Sequence, residues 1–169
     1  MSGSYVHRQG SVETAFRAAG CFCFHDGRLL LIERQVGKPM PRHWGVPSGK
    51  LEREETARMA VVRELFEEVG LEVAPAAPTE IVSAIVSDRG VVFEYVSFHL
   101  ELEAVPELRL HEHEIRDIAW LRPEAIGGRP MMPFFFNTLN DVLAWRRHGT
   151  VPVRTLPEAE ASGVVPTKA

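Results

Sequence analysis

The chain predicts an α/β fold, an α/β/α sandwich built on a mixed β-sheet. Three observations lead there. Short runs of β-forming residues are bounded by Asp-Gly and Arg-Gly turns; one amphipathic helical stretch separates the early strands from the late ones; a second helical stretch comes near the end. Strands on either side of a central helix, followed by a late helix, place helices on both faces of one sheet. A chain of 169 residues with 45% hydrophobic content fits one domain with a full core.

Taken in order, residues 1–14 read as a flexible arm. Phe16 to Phe24 alternates as a strand, His25-Asp26-Gly27 turns, and Arg28 to Arg34 (RLLLIER) returns as its hairpin partner. Gly37 to Trp44 is a loop. A helix from about Thr56 to Val69 puts Met59, Val62, Leu65 and Phe66 on its apolar side, and Gly70 ends it as a left-handed cap. Ile81 to Ser87 is a strand, Asp88-Arg89-Gly90 a turn, and Val91 to Glu103 a long strand. Its Val96, Phe98, Leu100 and Leu102 share one face, and Tyr95, Ser97, His99 and Glu101 share a second face of solvated, polar type. A strand near Ile118 to Leu121 and a helix from about Phe134 to Arg147 complete a domain spanning 15–150. Residues 151–169 form a loose tail, short in large apolar residues and holding Pro, Gly, Ala and Ser.

Composition excludes several function classes. The formal net charge is −4, and no basic run marks a nucleic-acid or membrane surface. The first residues lack the apolar core of a signal peptide and no stretch approaches the length of a membrane helix, so the expected location is cytoplasmic. Cys21 and Cys23 lie two apart on one strand, poorly placed for a disulfide, and without further ligands at zinc spacing they read as reduced thiols.

The chemistry concentrates in GKLEREETARMAVVRELFEEVGL, Gly49 to Leu71. Glu64, Glu67 and Glu68 stand at i, i+3 and i+4, which puts three mutually repelling carboxylates on one helix face. A bound hard cation resolves that repulsion. Mg²⁺ or Mn²⁺ takes oxygen ligands and completes its shell with water and substrate phosphate, so the face reads as a metal site for phosphate chemistry. Arg63 beside the carboxylates and Glu55 at the helix start can pair and orient them.

Gly49, five residues, Glu55, seven residues and then Arg63-Glu64-Leu65-Phe66-Glu67-Glu68-Val69-Gly70-Leu71 resembles the Nudix box of the Nudix hydrolase family with every defining position filled. WGVPSGK before it is similar to the family's lead-in, with Ser48 where a second glycine is common. The strand order and Trp120 extend the likeness from about Phe16 to about Arg147. The resemblance implies the Nudix fold, with Glu64, Glu67 and Glu68 as metal ligands joined by the Gly49 carbonyl. It also implies Arg63 and Glu55 as residues that orient those carboxylates. The base is open between Glu67, Glu68 and a glutamate of a later loop, where Glu112 and Glu114 are candidates as base or further ligand. His111 and His113 beside them read as solvent-facing.

Arg34, Lys50 and Tyr95 are candidates for substrate contact, with surface pairing or a solvated face as the ordinary alternative; Arg42 and His43 are weaker ones. Trp44, Phe93 and Phe134-Phe135-Phe136 could stack on a base, although core packing is the ordinary role of such residues. The expected activity is metal-dependent hydrolysis of a nucleoside diphosphate linked to another group, of NTP, dNTP or ADP-sugar type, giving NMP and a phosphorylated product. The alternative is a catalytically silent Nudix-fold module that senses a nucleotide. Keeping all three box carboxylates argues against it. An isoprenoid-diphosphate isomerase would need a pocket cysteine and acid that Cys21 and Cys23 are ill placed to supply. The expected partner is a small-molecule nucleotide. Homodimers are common in proteins that resemble this one, although no stripe marks an interface.

Overall fold

The computed structural model describes residues 3–155, so the part of the expected arm at residues 1–2 and the part of the expected tail at residues 156–169 lie outside the described residues. Eight strands and two α-helices follow in chain order. They are β1 (Ser4–His7), β2 (Arg17–His25), β3 (Arg28–Arg34), β4 (Trp44–Gly45), β5 (Ser48–Lys50), α1 (Ala57–Val69), β6 (Thr79–Asp88), β7 (Val91–Glu101), β8 (Ile115–Leu121) and α2 (Phe135–His148). The sheet runs β1-β6-β7-β2-β3-β4, with β5 also on β2 and β8 also on β3. Among the strands of the described residues β2 and β7 form the one parallel pair, Arg17 with Glu94 through Phe24 with Glu101, so the sheet is mixed as expected.

Alternation along β2, β3 and β7 sends side chains to two cores. Cys21, Cys23, Leu30, Ile32, Val96 and Phe98 pack with Ala60, Val61 and Leu65 of α1. Phe22, Phe24, Leu29 and Leu31 pack with Phe135, Leu139 and Val142 of α2. The sandwich follows from that division. Both thiols are buried and free, with the sulfurs 3.7 Å apart.

Helix α1 starts at Thr56, whose side chain accepts from the Met59 N–H at 3.2 Å, and stops at Gly70 with φ 68°. Its inner face differs from the expected one. Met59 and Phe66 are more than half exposed, and the buried face is Ala57, Ala60, Val61, Glu64, Leu65, Glu68 and Val69. Two glutamates occupy turns that an apolar stripe would fill, which rotates the helix away from its largest hydrophobic residues. The polar face of β7 also departs from expectation, because α2 covers it. Ser97 is fully buried and His99 is only 8% exposed, the latter beside Trp145 and accepting from Arg146 Nη1 at 2.6 Å.

The expected flexible arm at residues 1–14 is corrected in part. Residues 4–7 form an edge strand, with Ser4 to His7 paired against Ser87 to Ala84 of β6. Three of its groups reach the buried Asp141 or its neighbour on the tail: Tyr5 donates its hydroxyl to Asp141 Oδ2 at 2.8 Å, His7 Nε2 bonds the same oxygen at 2.7 Å, and the Arg154 N–H donates to His7 Nδ1 at 3.1 Å. Arg154 Nε adds a bond to Asp141 Oδ1 at 2.9 Å. Short alternation in a polar segment carried no sign of this, because the anchor lies more than a hundred residues away.

A second buried acid ties the same region down. Glu94 accepts from Arg8 (2.7 Å), Arg17 (2.6 Å) and Ser83 (2.7 Å); burial works against its charge, but these donors outweigh it and hold the carboxyl below its ordinary range. A depressed carboxylate stabilises the fold above its unfolded pKa of about 4.3 and loses that contribution as pH falls through the folded value. Glu94→Ala should therefore lower stability at neutral pH by about 1–2 kcal/mol, less than a fully buried pair because both arginines are partly exposed. Thermal unfolding at pH 7 and pH 3 checks it: the gap between variant and wild type should close at acid pH, and a gap of constant size would remove the ionic explanation.

Candidate active site

The loop from β4 through β5 runs antiparallel along β2, Lys50 opposite Ala18, Gly49 opposite Ala19 and Ser48 opposite Gly20, and it faces the buried glutamates of α1. A Cβ added to Gly49 would stand 1.7 Å from Glu64 Oε1. Glycine is required there because the carboxylate already fills the space. Glu68 Oε2 accepts the Ser48 N–H at 2.9 Å, so serine serves the loop through its backbone where a second glycine is common in the lead-in.

Arg63 holds the arrangement from the side. Its Nε and Nη2 both reach Glu55 at 2.9 Å, a two-pronged grip, while Nη1 donates to Glu64 Oε1 at 2.7 Å and to Glu67 Oε2 at 3.0 Å and Nη2 also reaches the Lys50 carbonyl at 3.1 Å. Arg63 keeps Glu55 below the usual carboxylate range through those bonds. Glu64 is raised, chiefly by burial and then by the charges of Glu67 and Glu114, which outweigh Arg63. Glu68 is raised well above its ordinary value by burial and by Glu64, with the Ser48 N–H and Arg34 opposing.

These groups stand at one end of a cavity of about 500 Å³. Gly49, Lys50, Glu64, Glu68, Arg34, Tyr95 and Glu114 all line it. Arg34 sits at a bulge between β3 and β8 and donates Nε to the Pro39 carbonyl at 2.9 Å. Lys50 Nζ lies 4.0 Å over the Phe16 ring. Glu114 accepts from Lys38 Nζ at 2.9 Å, which holds its carboxyl below the usual range.

Several of the candidate residues do not line the cavity. Glu67 is half exposed and shares Arg63 Nη1 with Glu64, beside the cavity and not among its lining residues. Glu112 is exposed and offers only its backbone carbonyl, to Gln35. Arg42 bonds the buried Glu33 at 2.6 Å, and His43 is half-buried and bonded to the Pro41 carbonyl. Cys21 and Cys23 are also absent from the lining. Phe16, Met40, Asp88 and Met132 line the cavity and were not singled out from sequence. Asp88 had a usable signal, since it falls on the Tyr95 face once the hairpin register is known.

A family model, the NUDIX domain, matches residues 14–145. The chain belongs to the Nudix hydrolase family. Within that family it is 31% identical over 123 residues to the CTP pyrophosphohydrolase of Escherichia coli (strain K12), covering 72% of this chain and 86% of that protein. It is 30% identical over 107 residues to phosphatase NudJ of the same strain, covering 63% of this chain and 67% of the relative. The crystal structure of a MutT NUDIX hydrolase from Burkholderia pseudomallei superposes with a TM-score of 0.64 at 24% identity, over 73% of this chain and 95% of that one, and shares the fold. The Nudix box is thus the segment that delivers Gly49, Glu64 and Glu68 to the cavity.

The donor chemistry here fits a hard divalent cation: two buried carboxylates, each charged at the other's expense, face a glycine whose missing side chain leaves room for them. Among the described residues no three Asp, Glu, His or Cys side chains already form a closed metal-ligating set, since Arg63 draws Glu64 and Glu67 to itself. No helix among the described residues is long and apolar enough to cross a membrane.

Proposed function

We propose that this Nudix hydrolase is a metal-dependent pyrophosphohydrolase that cleaves the diphosphate linkage of a nucleoside diphosphate derivative of NTP, dNTP or ADP-sugar type. The observation that carries the reading is the pair Glu64 and Glu68, buried against Gly49 at the charged end of an open cavity. Buried like charges are costly unless something neutralises them. The 31% identity to a CTP pyrophosphohydrolase supports the same reaction type.

Glu64, Glu67, Glu68 and the Gly49 carbonyl would hold Mg²⁺ or Mn²⁺. Bound there, the cation supplies charge neutralisation on the diphosphate and a more acidic water. The chain's own residues do the rest. Arg63, gripped by Glu55, fixes the directions of Glu64 and Glu67. Arg34 and Lys50 present positive charge to the phosphates, and Tyr95 closes the floor beside Ser48. Of the two loop glutamates Glu114 faces the cavity, and Lys38 keeps it ionised, which suits it to take a proton from water or to join the ligands. Water oxygen bonds to phosphorus, the anhydride oxygen leaves with the second phosphate, and NMP and the phosphorylated partner result.

A hydrolysis screen with Mg²⁺ or Mn²⁺ over NTPs, dNTPs, ADP-ribose and other nucleotide sugars tests the reading, with product masses read out and Glu68→Gln as control. Metal-dependent release of NMP, lost in the control, is the expected result. A flat screen with nucleotide binding intact would transfer the chain to the sensor reading.

A further inference from the structure

The cavity has a second end, built differently from the first. Antiparallel register on β6 and β7 pairs Ala84 with Tyr95, Val86 with Phe93 and Asp88 with Val91. These side chains share one sheet face, with Asp88 one diagonal step beyond Phe93. Tyr95, Val86, Phe93 and Asp88 all line the cavity, so the face is its floor, running from the box loop out to the tip of the β6–β7 hairpin.

Flat apolar surfaces stand around that end. Phe16 stacks on Phe93 with ring centroids 4.8 Å apart and planes 10° from parallel. Phe134 lines the cavity at φ 61° and stacks on Tyr5, whose hydroxyl the buried Asp141 holds. Planar walls of this kind accept a planar ring, and stacking a base on an aromatic side chain is worth about 1–3 kcal/mol.

Asp88 is the carboxylate at this end, remote along the floor from the acidic cluster. Its ion-pair partner among the described residues is the neighbouring Arg89, at 3.6 Å and beyond hydrogen-bond length. An ionised carboxylate only accepts. It rewards a ring edge that offers N–H and penalises one that offers a carbonyl oxygen in the same place.

We infer that this end of the cavity selects nucleotides whose base bears an exocyclic amino group, with Asp88 the residue that reads it; the inference rests on the hydrolase reading above for its site but not for its outcome. Cytosine and uracil give the sharpest comparison. They have the same shape and differ along one edge: at ring position 4 one carries an amino donor and the other a carbonyl acceptor, and at position 3 cytosine has an acceptor nitrogen where uracil has N–H, so the comparison reads whether Asp88 meets position 4. A hydrogen bond to a charged acceptor corresponds to about a tenfold preference or more.

The test measures kcat/KM for CTP and UTP with Mg²⁺, in wild type and Asp88→Asn, alongside calorimetric binding of the α,β-methylene analogues of both nucleotides. Wild type should favour CTP by at least about tenfold in hydrolysis and in analogue binding, and Asp88→Asn should bring the ratio below about threefold, because an amide donates to the uracil carbonyl as readily as it accepts from cytosine. Removing a negative charge alone would raise affinity for both nucleotides and leave the ratio unchanged. Equal treatment of CTP and UTP by wild type, or a preference that survives in Asp88→Asn, overturns the inference while leaving the hydrolase reading intact. An Asp88-dependent preference in analogue binding with no hydrolysis of either nucleotide does the reverse.

Discussion

Replacing Glu68 by glutamine should cost at least about a hundredfold in turnover, some 2.7 kcal/mol of barrier, while the metal-free protein melts no lower than wild type. Glu68 is 3% exposed, and burial together with the Glu64 charge makes its ionised form unfavourable. Glutamine keeps the shape and can still accept the Ser48 N–H, so the fold loses nothing that held it. What disappears is a negative oxygen for a cation. Saturating-metal kinetics and calorimetry in chelator measure the two sides separately. Activity within about threefold of wild type would take Glu68 out of the site, and a sharp drop in melting temperature would make it a structural residue. Glu67→Gln belongs to the same series, and because Glu67 is half exposed its loss should be visible in kinetics alone.

Gly49→Ala should remove most of the activity. The new Cβ would lie 1.7 Å from Glu64 Oε1 and 2.3 Å from its Cδ, distances no pair of real atoms tolerates. The loop is held to β2 by its strand pairing, so the carboxylate is the part that gives way. It would swing from the cavity with its Arg63 bond, and activity should fall by orders of magnitude with a change in stability of about 1 kcal/mol or less. Rate and melting temperature measured on the same preparation decide the matter. A fully active Gly49→Ala enzyme would show that Glu64 can work from elsewhere.

The fold and the box were legible because both depend on local rules. Thr56 caps and Gly70 stops α1, and the Asp26-Gly27 and Arg89-Gly90 corners carry positive φ at both residues, as tight hairpin turns require. Side-chain identity at fixed spacing placed Glu64 and Glu68 together because one helix carries both. Other features depended on partners distant in sequence. Met59 and Phe66 looked like core residues of α1, but the sheet turned the glutamates inward instead. The polar face of β7 looked solvated until Trp145 and Arg146 of α2 covered His99. Glu112 and Glu114 were equivalent on paper; the start of β8 gives Glu114 to the cavity and leaves Glu112 in solvent. Asp88 read as a turn residue, and only the strand register revealed its floor position.

The Asp141 cluster has a consequence for the order in which the domain can be completed. Tyr5 and His7 are synthesised well before the acid that fastens them, which is 136 and 134 positions further on. Their strand can find β6 halfway through synthesis, yet its side chains stay unanchored until α2 has been made and packed. Since Tyr5 also backs the Phe134 ring, one wall of the cavity is finished only at that moment. Within this domain an early strand is among the last to be fastened, and the cavity takes its final shape with it.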